Sequence, residues 1–172
     1  MLFEDVIKKR QAVREYLERD VPDDLIEKVL NLANLSPSAG NLQARRVVIV
    51  KDLDLIRKLK ATCSGLGRFS VEPPVIFVIC SVPEESAKEY GDRGRNLYAL
   101  QDATIFASYL QLSATSLGLA SCWVGSFDEE EVAKMLDLPQ GLVPVVIIPM
   151  GFTQDEPREK DRKSLEEIVL ER

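Results

Sequence analysis

Residues 97–117 read LYALQDATIFASYLQLSATSL and form the most apolar stretch of the chain. Apolar side chains recur every three or four residues, which predicts a helix over the whole stretch. One face carries Leu100, Ala103, Ala107, Leu110, Ala114 and Leu117, and the other faces carry Ile105, Phe106, Tyr109 and Leu112. A helix that is apolar nearly all round is buried on several sides. In a chain of 172 residues, such a helix is expected to serve both the core and an interface with a second copy.

Four short runs of β-branched and apolar residues predict buried strands on either side of this helix. They lie at 47–50, 75–80, 121–124 and 145–148. Shorter helices are predicted near residues 3–7, after Pro22, after Asp52 and after Asp128, where capping residues precede apolar repeats. Gly118 is expected to end the long helix. The polar, glycine-interrupted segment 82–96 is predicted to be a mobile excursion or lid.

The composition predicts one compact domain over residues 1–172, with 45% apolar residues and a net charge of −6. An acidic chain is a poor ligand for nucleic acid or an anionic membrane, so neither partner is expected. The most apolar stretch is interrupted by Gln101, Asp102 and Gln111, which argues against a membrane span. The first ten residues carry acidic side chains among apolar ones and do not resemble a signal peptide.

The chain contains no histidine, which excludes Ser-His-Asp and Cys-His catalysis and most zinc sites. No metal site is predicted. The cysteines are Cys63, Cys80 and Cys122, an odd number without a C-x-x-C pair. This usage is typical of idle thiols in a reducing cytoplasm. If one thiol is reactive, Cys63 is the best placed, because it lies near a loop.

Three segments combine residue types suited to one anion and one flat ring. Residues 10–14, RQAVR, place two arginines four apart, and guanidinium groups grip phosphate oxygens in pairs. Residues 37–43, PSAGNLQ, are small and polar enough for a ligand to approach the backbone, with amides that can point outward. Residues 123–126, WVGS, lie at the end of a predicted strand, which is the usual place for ligands in α/β proteins. Taken singly, each has a plainer interpretation: solvated arginines, a turn after a helix, and a core tryptophan.

Taken together and in this order, the segments resemble the FMN-dependent nitroreductase family. That family has the motifs R-x-S-x-R, P-S-A-x-N-x-Q and G-L-G-x-x-W-V-G, followed by a C-terminal basic pair. Here the corresponding residues are RQAVR (10–14), PSAGNLQ (37–43), GLASCWVG (118–125) and the pair Lys160 and Arg162. The resemblance covers nearly the whole chain, and the PSAGN loop together with the WVG segment is its most specific part.

The resemblance implies an α+β fold with a central mixed four-stranded sheet flanked by helices. It also implies a homodimer built around the long helix. The C-terminal arm would cross to the partner and add a fifth strand to the partner's sheet. One FMN would lie in each of the two interface clefts.

The resemblance also assigns a role to each matching residue. Arg10 and Arg14 would hold the FMN phosphate, helped by Lys160 or Arg162. The remaining predicted cofactor-binding residues are Gln11 and Ala12 beside the phosphate, Pro37, Ser38, Ala39, Asn41 and Gln43 from the other subunit along the ring and ribityl chain, and Val124 and Gly125 at the ring. No side chain is assigned a catalytic role, because the chemistry belongs to the flavin.

Two departures from the family pattern alter these expectations. Ala12 replaces the usual serine, which removes one hydroxyl contact to phosphate; a backbone amide or Gln11 is the expected substitute. Ala44 and Arg45 replace the usual Pro-Trp, which changes the rim of the pocket.

The resemblance implies ping-pong electron transfer from NADH or NADPH, through FMN, to a small acceptor such as a nitroaromatic or a quinone. The sequence does not choose between the two reductants or name the acceptor. The alternative is a flavin-binding carrier or sensor without turnover.

Overall fold

The structure is a computed structural model that describes residues 1–171. Its helices are α1 (Phe3–Lys9), α2 (Asp23–Asn34), α3 (Leu53–Thr62), α4 (Pro83–Arg93), α5 (Ala99–Ser116), α6 (Glu129–Met135) and α7 (Leu165–Ile168). Its strands are β1 (Arg45–Val50), β2 (Val75–Ser81), β3 (Ala120–Ser121) and β4 (Val143–Gly151). The predicted caps form: Asp52 accepts from the Leu55 amide at 2.8 Å, and Asp128 from the Glu131 amide at 2.9 Å.

The four strands form one sheet in the order β1-β2-β4-β3, and every pair of neighbouring strands is antiparallel. The predicted α+β fold with four strands is therefore confirmed. The parallel component is an isolated bridge between Ala12 and Ser121 at the β3 edge. Whether a partner's arm adds a fifth strand stays a prediction.

The sheet separates two apolar clusters. On one face α2 and α5 pack against β2 and β4, with Val29, Ala107 and Phe77 among the residues that close this cluster. On the other face α3 and α6 cover the sheet through Ile56, Leu59 and Val132. Strand β2 is buried along its whole length, so the sheet is covered on both sides.

The long helix forms as predicted, although its first turn differs from a regular α-helix. Residues Gly94–Tyr98 make a π-helical turn that leads into α5. Gly118, with φ of +82°, follows the end of the helix as expected. Leu100 and Tyr109 on α5 remain 46% and 39% exposed in the single chain. These exposed positions lie on the side of the helix that the core does not use.

The segment 82–96, predicted to be a mobile excursion or lid, is helical and not the irregular stretch that its sequence indicates. Whether it moves as a lid stays a prediction. Pro83 occupies the first turn of α4, where its missing N–H costs no hydrogen bond. Arg95 then joins Glu84 at 2.7 Å and Asp92 at 2.8 Å. Paired charges and the packing of the buried Ser86 hold a helix that its glycines would otherwise weaken.

The C-terminal arm leaves β4 without regular structure and ends in α7, a single exposed turn. Leu165 is 73% and Leu170 is 83% exposed. An apolar end on an arm that packs so little within its own chain fits the expectation that it docks on a partner.

None of the helices among residues 1–171 is both long and apolar enough to cross a membrane.

All three thiols are free and buried, and burial raises the pKa of both Cys63 and Cys80 to about 11. Cys63, which was expected to be the best placed thiol if one is reactive, is 0% exposed. Because the thiolate is the nucleophile, these cysteines are expected to resist alkylation in the folded protein at about pH 8. Iodoacetamide labelling followed by intact mass should modify almost none of them before unfolding, and all three in concentrated guanidinium. Rapid labelling of the native protein would contradict this.

Candidate functional site

The segment 10–14 runs along the β3 edge of the sheet. The Val13 amide donates to the Ser121 carbonyl at 3.1 Å. The Tyr16 hydroxyl, whose pKa burial raises well above 10.0, lies 3.0 Å from the carbonyl oxygens of both Val13 and Pro149. Val13 and Tyr16 are buried, whereas Ala12 and Arg14 are exposed. The sheet edge therefore fixes the backbone and leaves Arg14 free for a ligand.

Two adjoining clefts meet at Arg14 and Arg68, and we refer to them together as the arginine cleft. The larger part, of about 340 Å³, is lined by Gln11, Ala12, Arg14, Glu15, Arg68, Ser70, Asp155 and Arg158. The smaller part, of about 140 Å³, is lined by Arg14, Gly65, Arg68, Cys122, Trp123, Val124, Gly125 and Ser126. The first and third sequence segments, 10–14 and 123–126, are thus brought together in one chain.

Arg14, Arg68 and Arg158 line the arginine cleft, whereas the predicted phosphate ligands Arg10, Lys160 and Arg162 are not among its lining residues. Among residues 1–171, no carboxylate lies within 4.0 Å of the charged groups of Arg10, Arg14, Arg68, Arg158, Lys160 or Arg162. Desolvation, followed by repulsion from Arg10 and Arg162, lowers the pKa of Lys160. Clustered cations that repel one another are stabilised by a bound anion, and phosphate is the anion that arginine binds best.

The WVG segment leaves the backbone amides of Trp123 and Gly125 without a hydrogen-bond partner among residues 1–171. Val124 exchanges both of its backbone hydrogen bonds with Ile147, each at 3.0 Å. The next amide, that of Gly125, has no hydrogen-bond partner within residues 1–171. A Cβ added to Gly125 would meet only Trp123 Nε1, at 3.7 Å. The chain itself leaves space over Gly125, which suits close approach of a flat ligand.

The interpretation of Trp123 as a core residue is wrong, because its side chain is 39% exposed and lines the arginine cleft. Alternation along the extended chain explains its position. Cys122 and Val124 point into the core, at 1% and 3% exposure, so Trp123 and Gly125 face the cleft. Strand β3 is only two residues long and ends at Ser121, before Trp123.

The loop at 37–43 is held from beneath by Asp102 on α5. This carboxylate is 1% exposed and accepts from the amides of Ala39 at 2.9 Å and Ala44 at 3.3 Å. The Gln43 amide donates to Ser38 Oγ at 3.0 Å. Within the loop, the Ala39 amide therefore points into the protein and the Gln43 amide is used by the loop itself. The expectation that the loop amides point outward does not hold for these two.

The loop backbone is strained, and it presents side chains to solvent. Asn41 and Gln43 have positive φ values of 56° and 53°, which few residues other than glycine adopt. The Gln43 side chain donates to the Asn41 carbonyl at 3.2 Å. Pro37, Asn41 and Gln43 are exposed, and Ser38 is half-buried. A ligand at this loop would meet side chains more than backbone amides.

The loop and the arginine cleft lie at diagonally opposite corners of the sheet. The loop precedes β1, at the end where Arg45 pairs with Ser81. The bridge from Ala12 reaches Ser121, which pairs with Met150 at the opposite end. Crossing three strand spacings covers about 14 Å, and six residues along β2 cover about 20 Å. One chain does not bring all three predicted segments to one ligand.

Arg45 does not form the rim of a pocket as expected, because its side chain is buried at 6% exposure. Its guanidinium lies over the Phe106 ring at 5.0 Å and donates weakly to the Asn34 carbonyl at 3.4 Å. Desolvation lowers its pKa, while the nearby Asp102 raises it. The negative charge of Asp102 therefore partly offsets the burial of the Arg45 guanidinium beneath the loop.

The Gln11 side chain fastens the C-terminal arm instead of being free for phosphate. Its amide nitrogen donates to the Glu156 carbonyl, and its amide oxygen accepts from the Arg158 backbone amide, both at 2.9 Å. Lys160 continues this attachment, since its Nζ donates to the Lys8 carbonyl at 2.7 Å. The arm thereby carries Arg158 into the arginine cleft. Arg158 and Arg68 were not singled out from the sequence, where neither belongs to a motif.

Replacing Gln11 with alanine is expected to release the arm. Both hydrogen bonds of the side chain to the arm would be lost, and exposed segments without such ties are preferred sites of proteolysis. Limited proteolysis read by mass spectrometry should show faster cleavage within residues 153–164. Gln154→Ala, which removes an amide with no recorded hydrogen bond among residues 1–171, serves as the control. Equal cleavage rates in Gln11→Ala and wild type would contradict the attachment.

Replacing Ala12 with serine tests the alignment of the first motif. Ala12 is exposed and lines the cleft, so a hydroxyl fits without displacing a neighbour. FMN affinity should rise or stay unchanged, and the free energy of unfolding should change by less than about 0.5 kcal/mol. FMN fluorescence titration and urea unfolding measure the two quantities. Clearly weaker FMN binding would mean that this position has been misassigned.

Comparison with known proteins identifies the family of this chain. The model of the nitroreductase family matches residues 7–74 and 67–152. A relative from Methanothermobacter thermautotrophicus, whose name includes NAD(P)H nitroreductase, is 26% identical over 98% of this chain and 86% of its own length. The chain belongs to the nitroreductase family. Membership of this family supports the predicted class of enzyme, an oxidoreductase.

Solved structures show the same fold. A nitroreductase family protein from Clostridium difficile is 31% identical, with a TM-score of 0.85 over 99% of this chain and 98% of its own. A nitroreductase family protein from Streptococcus pneumoniae has a TM-score of 0.90 over 99% of this chain and 100% of its own, at 20% identity.

Proposed function

We propose that this chain is an FMN-dependent oxidoreductase that passes electrons from NADH or NADPH to a small acceptor, such as a nitroaromatic or a quinone. The reaction would be ping-pong. The observation that carries this proposal is the arginine cleft, where unpaired cations lie beside an unused backbone donor at Gly125. One part of the cleft suits a phosphate, and the other suits the edge of a flat ring.

The residues present fit FMN. Arg10, Arg14, Lys160 and Arg162 would hold the phosphate by charge, and the repulsion of Lys160 by Arg10 and Arg162 favours an anion among those three. Arg68 faces both parts of the cleft and is a further candidate. The Gly125 amide is the donor available at the ring. Bound FMN would supply the redox chemistry by accepting hydride from NAD(P)H and reducing the acceptor.

We infer that two copies complete each site. Pro37, Ser38, Ala39, Asn41 and Gln43 would reach the FMN held by the partner's arginine cleft, because they lie too far from their own. The exposed apolar residues of α5 and of the C-terminal arm supply surfaces for such a homodimer. Residues 1–172 would act as one FMN-binding domain in a reducing cytoplasm, where the three free thiols remain unpaired.

The chain would bind and orient the reactants rather than provide an acid or a base. Among residues 1–171, no carboxylate lines the part of the cleft around Gly125, and the chain has no histidine. Water or the acceptor itself would therefore provide protons at that point. Trp123, half-exposed beside Gly125, would limit solvent access to the ring.

Anaerobic half-reactions test the proposal. The FMN-loaded protein is mixed with NADH or NADPH, and then with a quinone, while the visible flavin absorbance is followed. Rapid bleaching by one reductant and recovery with the quinone are expected, both faster than for free FMN at the same concentration. Bound flavin that neither reductant bleaches would favour the alternative, a carrier or sensor without turnover.

A further inference from the structure

Two tyrosines and an arginine form a cluster where α4 passes into α5. The rings of Tyr90 and Tyr98 meet edge to face, with centroids 5.2 Å apart. Arg93 donates from Nε to the Tyr98 hydroxyl at 2.9 Å, and its guanidinium lies 5.4 Å from the centre of that ring. Tyr90 and Arg93 are exposed, and Tyr98 is half-buried. We call these three side chains the tyrosine–arginine cluster.

The cluster stands directly against the loop at 37–43. A Cβ added to Gly40 would lie 2.3 Å from the Tyr90 hydroxyl oxygen, so only glycine permits this approach. Gly40 also has φ of +54°, which favours glycine on backbone grounds. The loop and the cluster therefore form one continuous surface. Wherever the loop faces a flavin, the cluster stands beside it.

The backbone beneath the cluster is shaped by two further glycines. Gly91 has φ of +56°, and a Cβ on Gly94 would lie 2.3 Å from the Ser86 carbonyl oxygen. Gly94 begins the π-helical turn that ends at Tyr98. Such turns are rare and occur frequently at functional sites. The turn brings Arg93 and Tyr98, five residues apart, into hydrogen-bond contact.

Arg93 differs from its neighbour Arg95 in having no acidic partner. Arg95 forms ion pairs with Glu84 and Asp92. Within residues 1–171, no carboxylate lies within 4.0 Å of Arg93. Its terminal nitrogens have no recorded hydrogen bond in that range. A guanidinium held at the edge of aromatic rings, with its fork unused, suits a planar anion such as a carboxylate.

We propose that the tyrosine–arginine cluster is the surface that recognises the electron acceptor, and that it selects planar aromatic acceptors bearing an anionic group. The inference rests on the proposed function, since it places the acceptor beside a flavin that the loop borders. The tyrosine rings would contact the acceptor ring, and Arg93 would bind its anionic substituent.

Calorimetric binding of 4-nitrobenzoate and of its neutral analogue 4-nitrobenzamide to the oxidised, FMN-loaded protein tests the proposal. Wild type should bind nitrobenzoate at least about tenfold more tightly than nitrobenzamide, as expected for a charge-assisted contact. Arg93→Gln should remove this preference and leave nitrobenzamide binding unchanged. Arg95→Gln, the matched control on the same surface, should retain the preference. Tyr98→Phe should reduce it, because Arg93 loses the hydroxyl that positions it.

The possible failures are distinguishable. Equal affinities for the two compounds in wild type, or equal effects of Arg93→Gln and Arg95→Gln, would overturn the acceptor surface even if NADH bleaches the flavin. Suppose instead that nitrobenzoate binds selectively but neither NADH nor NADPH bleaches the flavin. This result would support acceptor recognition by the tyrosine–arginine cluster and contradict the proposed turnover. A chain that takes up no FMN would overturn both.

Discussion

Replacing Asp102 with alanine is expected to lower the free energy of unfolding by about 3–5 kcal/mol, because two backbone amides would lose a charged acceptor and each such hydrogen bond contributes roughly 1.5–3 kcal/mol. The substitution would leave the amides of Ala39 and Ala44 without their acceptor. It would also leave the buried guanidinium of Arg45 without the carboxylate that offsets its desolvation. Urea unfolding measures the loss.

Asp92→Ala is the matched control, because that carboxylate is 90% exposed and also contacts an arginine. It should change the free energy of unfolding by no more than about 1 kcal/mol. Asp102→Asn, which retains one acceptor oxygen, should fall between wild type and Asp102→Ala. An Asp102→Ala protein within about 1 kcal/mol of wild type would mean that the loop does not depend on this carboxylate.

Removing both motif arginines, with Arg10→Ala and Arg14→Ala together, is expected to weaken FMN binding by about 10²- to 10⁴-fold. Each charge-assisted contact contributes roughly 1.5–3 kcal/mol, and tenfold in affinity corresponds to about 1.4 kcal/mol. The FMN-free protein should not be destabilised, because neither arginine has an acidic partner among residues 1–171 and Arg10 repels Lys160. Fluorescence titration gives the affinity, and urea unfolding gives the stability.

Arg57→Ala is the control for charge, since Arg57 is an exposed arginine paired with Asp54 on α3. It removes one positive charge, where the double variant removes two, and it should leave FMN affinity within about twofold of wild type. FMN bound by the double variant as tightly as by wild type would show that the phosphate is held elsewhere.

The strands and the long helix were predictable because their patterns are local. Strand β2 is an unbroken apolar run from Val75 to Cys80, and the apolar repeat of α5 extends over five turns. Helix α4 was missed because its sequence is charged and broken by Gly91. Its stability depends on ion pairs and on packing around Ser86, which no periodicity reveals.

The site was only partly predictable for a similar reason. The motif residues of the arginine cleft could be found from the sequence, but Arg68 joins its two parts from a short loop without a pattern. Asp102 appeared only as an interruption of an apolar helix, and its partners are amides 58 and 63 residues away. A single acid on an otherwise buried helix face was the one available signal.

The most direct test of FMN binding is a titration of the purified chain with FMN, followed by quenching of flavin fluorescence. Saturable binding at one FMN per chain is expected, because each arginine cleft would hold one phosphate. Absence of any saturable change would contradict it, and the function of the arginine cleft would then lie with a different anion.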